Sequence, residues 1–241
     1  MPELRLSQGS VPYEVHRRRR RTVGVVVRPD GRVEVHAPMR STASEIRDGV
    51  VEFRPWIEKK RVEVLERQRK LRARRFDEGD EVPYLGGTLR LHVVETQTPA
   101  EASLGDDART LTVPVAGELT VASRREQVRF AVKRWLLGQA RDVFHRRHVA
   151  MSKLVGDAAR RVVIKDMRTR WGSCGPERLM NLNWRLILAP EAVIDYVLVH
   201  ELTHITVPNH SRAFWRKVSA ACHHAKASRK WLRAHGDDLE L

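Results

Sequence analysis

His200-Glu201-Leu202-Thr203-His204-Ile205-Thr206-Val207-Pro208-Asn209-His210 is the stretch on which the reading of this chain turns. On a helix, positions i and i+4 lie on one face about one turn apart, so His200 and His204 can reach a single ion. Zinc in hydrolytic sites takes three protein ligands and leaves its remaining position open. His210 is the third candidate, because Pro208 must break the helix and Asn209 suits the turn that brings the chain back. Glu201 follows the first ligand directly, where a carboxylate can take a proton from water activated by the ion. The expectation is a zinc-dependent hydrolase with metal ligands His200, His204 and His210 and catalytic Glu201. The opposing reading is a helix that carries exposed histidines.

The residues before the box weigh against that opposing reading. Ala192-Val193-Ile194-Asp195-Tyr196-Val197-Leu198-Val199 is almost wholly apolar, which predicts a buried helix opened by Pro190. Two histidines and a glutamate at the end of a buried helix need a partner, and a metal supplies one.

Composition bounds the remainder. With 241 residues, 41% of them hydrophobic, the chain can bury a sizeable core as one large domain or two small ones. The formal net charge is +15, from 45 basic and 30 acidic residues, which favours polyanionic partners. Arginine outnumbers lysine 36 to 9, a bias that a GC-rich genome produces without any nucleic-acid function. Two cysteines, Cys174 and Cys222, imply no disulfide framework and suit a reducing compartment. The first 30 residues lack an apolar signal core and no stretch approaches a membrane span, so a cytoplasmic location is expected.

Along the chain, strands are predicted at 11–16 and 22–28. Pro29-Asp30-Gly31 turns 22–36 into a hairpin. Thr42-x-x-Glu45 is a capping box that opens a helix with Ile46, Val50, Phe53, Trp56 and Ile57 inward. The helix then runs on, highly charged, to Arg75. Strands near 83–94 and 109–115 flank a polar loop from Pro99 to Asp107. A second capping box, Ser123-x-x-Glu126, starts a helix to about residue 150, with Val128, Ala131, Val132, Trp135, Leu136, Gln139 and Val143 on one face. A strand over 161–164, a turn at 171–175, extended chain over 179–188, a helix capped by Ser211 and a last helix carrying Trp231 complete the reading. No internal repeat is visible. The fold class is α+β: an N-terminal β-rich module over 1–121, then over 122–241 a mainly helical, zincin-like metal-binding module with a small sheet.

Arg170-Trp171-Gly172-Ser173-Cys174, Asn183-Trp184-Arg185-Leu186, Pro190, Tyr196, the box itself, Asn209-His210-Ser211 and Phe214-Trp215 together resemble the YgjP-like metallopeptidase family. That family is related to the SprT-like and WLM zinc proteases. The similarity covers most of the chain and is densest from Arg170 to Trp215. It implies zinc at His200, His204 and His210 with Glu201 catalytic, the roles that spacing assigns independently. Metzincins share the histidine spacing but place glycine where this chain has Val207, and no methionine turn follows His210.

Other residues admit two readings each. A tight loop at 171–174 can bring a backbone N–H or the Arg170 side chain to a developing oxyanion, and Cys174 can approach the metal. Equally, Gly172 permits a turn, Trp171 fills the core and Cys174 is a small buried residue. Tyr196, one turn before His200, either supports the ligands or packs. Asn183 and Asp195 are candidates to accept from a ligand histidine's second ring nitrogen. His223 and His224 read as solvated. Arg17 to Arg21 and the helix 54–75, with ten basic residues against three glutamates, form either a polyanion surface or a solvated edge strand and helix face.

Three function classes follow. The first is a metallopeptidase acting on polypeptide. The second is a metal-dependent nucleotide pyrophosphohydrolase, an activity that the resemblance also admits and that a basic surface suits. Three imidazoles select zinc, however, whereas dedicated phosphate sites use oxygen ligands with magnesium. The third is a nucleic-acid-associated protein with a structural metal, which leaves Glu201 without a purpose.

Overall fold

In the computed structural model, all residues are described other than Pro99, Arg168 and Pro176, and at 70–73 the backbone alone. Pro99 in the polar loop and the four side chains at 70–73 in the charged helix therefore lie outside the described residues. The chain is α+β and forms two compact units, Met1–Arg74 and Arg75–Leu241.

The first unit is a four-stranded sheet with two helices. Its strands β1 (Glu3–Leu6), β2 (Gly9–Arg18), β3 (Gly24–Val27) and β4 (Val33–Pro38) take the order β1-β2-β4-β3. The β3–β4 pair is the predicted hairpin, with Val27 opposite Val33 across a turn in which Gly31 has φ +83. Alternation places Val33, Val35 and Ala37 on the covered face, joined by Leu4, Leu6, Val11 and Tyr13. The Thr42 capping box opens α1 (Ala43–Glu52), which contributes Ile46 and Val50. Here the sequence reading needs correction. The helix does not run on through Phe53: its cap lies there, and α2 (Arg54–Ala73) begins separately. Pro55 sits in the first turn of α2, where its missing N–H costs nothing. The break turns Ile57 inward and leaves Trp56 43% exposed.

β1 pairs β2 only over Gly9–Pro12, so at Arg17 and Arg18 the strand is paired with β4 on one side alone and forms an exposed edge. Arg17 is structural: its guanidinium donates to the carbonyls of Pro38, Met39 and Ser41 at 3.4, 3.0 and 2.7 Å, closing the chain after β4.

The second unit begins with the same topology. Strands β5 (Glu81–Tyr84), β6 (Gly87–Thr96), β7 (Ser103–Leu104) and β8 (Thr110–Ala116) take the order β5-β6-β8-β7. Two ladders repeat in register 78 residues further on: Glu3 opposite Pro12 becomes Glu81 opposite Arg90, and Tyr13 opposite Val33 becomes Leu91 opposite Leu111. The N-caps Thr42 and Thr120 keep the same spacing. A repeat invisible by residue identity is therefore written in burial pattern and register, because a pleated sheet constrains which positions are apolar more than which apolar residue occupies them.

The boundary between the two units follows from what each sheet packs against. It falls at 74/75 rather than at 121/122 because Val82, Leu89, Leu91, Leu111, Val113 and Val115 of the second sheet share one core with the helices that follow. α3 (Val121–Val155) starts a turn before Ser123, with the Thr120 hydroxyl accepting from the Ser123 N–H. It buries Val128, Val132, Leu136, Ala140, Val143 and Phe144 at helical spacing. Next come β9 (Arg161–Lys165), β10 (Gly172–Cys174) and β11 (Leu179–Asn183), in the order β10-β11-β9. The extended chain stops at Asn183, whose side chain accepts from the Arg185 N–H and caps a 3-10 turn over Trp184–Leu188. α4 (Glu191–Thr203), α5 (Arg212–Ala221) and α6 (Ala225–His235) complete the unit. Among the described residues, no helix is long and apolar enough to cross a membrane.

α4 is held from two sides. The β5–β6 turn meets its start: the Leu85 N–H donates to Ile187 O at 2.8 Å, and Gly86 lies against Pro190 so closely that a Cβ would stand 2.9 Å from its Cα. From α3, Arg147 forms a bidentate pair with Asp195 at 2.5 and 2.7 Å and also reaches Glu191 at 3.0 Å. Asp195 is therefore committed to the helix–helix brace. Arg147→Ala leaves the buried Asp195 carboxylate without its guanidinium, which costs about 2–3 kcal/mol after allowance for the 27% exposure of Arg147. Chemical denaturation of the two proteins measures this, and a change below about 0.5 kcal/mol refutes the brace.

Candidate metal centre

α4 delivers its chemistry at its last turn. Val193, Ile194, Val197, Leu198, Val199 and Leu202 are buried, so the helix has no solvated face on which to carry His200 and Glu201. His204 caps the helix in a right-handed conformation and stays on the His200 face. After Pro208 the chain returns, and the Nε2 atoms of His210 and His200 are 3.1 Å apart. The ligand nitrogens of His200, His204 and His210 all lie within 4.8 Å of one another. Tetrahedral zinc–nitrogen bonds of about 2.0–2.1 Å hold two nitrogens roughly 3.3 Å apart, so the cluster has the dimensions of such a site.

The returning loop also orients a ligand. His204 Nδ1 lies 3.2 Å from the Val207 carbonyl, and a proton donated there leaves Nε2 free to bind. This backbone acceptor takes the place expected for Asn183 or Asp195. The Asn183 amide instead donates to the carbonyls of Met167 and Arg170, at 2.8 and 3.1 Å, and shapes the loop before β10. Lys217 on α5 ties the histidine loop down, bonding Asp157 at 2.6 Å and Thr206 at 2.8 Å. Phe214, fully buried at the start of α5, faces all three imidazoles at centroid distances of 4.6–4.9 Å. Trp215 stacks on His210.

Burial sets the protonation states. His200 is pushed down to about 4, first by burial and then by the neighbouring histidines, and His204 is shifted in the same direction by burial. Both are neutral near pH 7, the form that ligates. Glu201 is raised to about 7, chiefly by burial, with the Cys174 N–H and the Arg170 charge pulling the other way. The His200 Nδ1 atom is buried without a partner among the described residues.

The loop from Arg170 to Cys174 has a role that the sequence reading did not assign. Its strand β10 lies against α4, and the Cys174 backbone beside the Glu201 carboxylate favours its charged form, against the larger effect of burial. A Cβ at Gly172 would stand 2.7 Å from Glu201 Cγ and 2.9 Å from Oε1. The glycine is there for close approach, and the loop is a cradle for Glu201. Cys174 stays outside the histidine cluster among the described residues, and burial raises its thiol pKa, which opposes a thiolate ligand. Tyr196 is buried and packs edge-on to His200 at 5.9 Å. His223 is exposed and His224 half-buried, both apart from the cluster. The signal for the cradle was present in Trp171-Gly172-Ser173-Cys174, but its partner 29 residues away was not.

Gly172→Ala tests the cradle. The added methyl cannot coexist with the observed Glu201 rotamer, and the flexible glutamate is what yields. Since about 1 Å of misplacement can cost 100-fold, turnover is expected to fall by roughly 10- to 100-fold with metal content retained. Unchanged turnover would show that Glu201 does not depend on this contact.

A buried helix ending in convergent imidazoles and a sequestered carboxylate is the architecture of a metal-dependent hydrolase. The chain belongs to the YgjP-like family: the family's profile, described as YgjP-like, metallopeptidase domain, matches residues 21–235. Among solved structures, the metallopeptidase zymogen of Pyrococcus abyssi abylysin matches at 20% identity with a TM-score of 0.34, over 39% of this chain and 92% of that one. No curated protein matches the chain.

Proposed function

We propose that the protein is a zinc-dependent peptidase whose ion is held by His200, His204 and His210 and whose general base is Glu201. The convergence of three imidazole nitrogens within 4.8 Å beside a buried carboxylate carries this reading. The donor set suits zinc: three imidazoles, one with its second nitrogen turned to a backbone carbonyl. A zinc ion held there supplies Lewis acidity to the scissile carbonyl and to water.

The chain's own groups do the rest. The Glu201 carboxylate takes a proton from the attacking water and carries it to the departing amine. Gly172 leaves it room. Phe214 and Trp215 pack against the histidine rings and restrict their orientation.

The test is elemental analysis of the purified protein followed by assays on casein and on nucleoside triphosphates, with and without chelator. About one zinc per chain and chelator-sensitive cleavage of casein, restored by zinc, are expected. A metal-loaded protein that hydrolyses nucleoside triphosphates and leaves polypeptides intact would establish the pyrophosphohydrolase reading instead.

A further inference from the structure

Beside the metal cluster opens a cavity of about 260 Å³. Trp171, Tyr196, Val197 and Leu232 make its walls apolar, and His200 and Glu201 stand on the side of the metal centre. Gly172 completes that side, and the remaining lining is Arg229 and Arg233, four residues apart on α6 and therefore on one face of it. Among the described residues the lining has no acidic side chain other than Glu201.

Both arginines are exposed and stand at the rim of the cavity. The Arg229 guanidinium lies over the Trp215 ring, 4.5 Å from its centroid, a stacking that restricts its plane. α6 is fixed at its base by the Ser228 hydroxyl, which donates to Ala192 O at 3.1 Å, so the two guanidinium groups are referenced to α4.

We propose that this cavity is the substrate pocket next to the scissile bond and that it takes a carboxylate of the polypeptide, from an acidic side chain or a free chain terminus. The proposal rests on the peptidase reading above. Planar guanidinium groups match a carboxylate with paired hydrogen bonds, and apolar walls strengthen the interaction by lowering the local dielectric. The volume is below the roughly 300–1,000 Å³ of sites that enclose a whole small molecule, and it suits a single side chain. A lysine placed there would meet two like charges.

The experiment uses zinc-loaded full-length protein and two sets of peptides. Acetylated, amidated peptides carry Glu, Gln, Leu or Lys at each position flanking the cleaved bond, and a second set carries a free C-terminal carboxylate in place of the acidic side chain. Glu is expected to exceed Gln by roughly 10- to 100-fold in kcat/KM at one flanking position, the range for hydrogen bonds to a charged group. If the amidated Glu peptides show no such gain and the free-carboxylate set does, the carboxylate is a terminus. In either case the proposal requires R229Q/R233Q to bring the ratio to near 1, and R229E/R233E to favour Lys, at unchanged zinc content. Calorimetric binding of the same peptides to the zinc-loaded E201Q protein reads the preference without turnover. Cleavage of casein and peptides without carboxylate preference, or a preference that survives R229Q/R233Q, overturns the pocket assignment and leaves the peptidase intact. Absence of both peptide cleavage and peptide binding overturns the peptidase and the pocket together.

Discussion

Glu201→Gln is expected to lower hydrolysis by roughly two or more orders of magnitude while leaving metal content unchanged. Glutamine keeps the size and polarity of the side chain but has no site for the water proton. It is not a ligand, so the three imidazoles and the Val207 acceptor are untouched. Burial raises the Glu201 pKa to about 7, which makes its carboxylate a stronger base than an exposed glutamate and thereby enlarges what the substitution removes. The substitution also relieves the cost of holding a charge in that position, so the protein is not expected to lose stability. Steady-state turnover and zinc content of the same preparation decide it. Full activity at full zinc occupancy would remove Glu201 from the proton pathway.

Where the sequence reading succeeded and where it stopped follows from the range of each interaction. His200, Glu201 and His204 are legible because a helix converts spacing into direction within one turn, and Pro208 forces the return that brings His210 back. The Thr42 capping box and the β3–β4 hairpin are equally local, and the structure contains both. Non-local contacts were out of reach. Nothing in the residue pattern says that the Val207 carbonyl rather than Asp195 meets a ligand nitrogen, since Asp195 is taken by Arg147 from another helix, 48 residues earlier. Gly172 looks like any turn glycine until Glu201 is packed on it. The unit boundary was misplaced for a related reason. Alternation over 81–116 announces a sheet but not which helix covers it, and the repeated ladder shows that this sheet belongs with α3 as the first belongs with α1 and α2.

His204→Ala is expected to weaken zinc binding by at least about 100-fold, beyond the 10- to 100-fold seen on losing an outer-shell partner, because a protein ligand itself is removed. The same change frees the Val207 carbonyl and takes away a ring that faces Phe214 at 4.6 Å, so the loop from Ile205 to His210 loses one of its attachments. Lys217 still ties Thr206 to Asp157, which keeps the fold while the site fails. His223→Ala is the control: an exposed histidine on the same unit and outside the cluster, whose removal leaves zinc occupancy unchanged. Competition against a chelator of known affinity gives the binding constant for all three proteins, and zinc-dependent protection against thermal unfolding gives an independent reading, since an ion that binds only the folded state raises its stability with concentration. Wild-type zinc affinity in the His204→Ala protein would mean that the ion sits elsewhere, and the convergence of His200, His204 and His210 would then require another explanation.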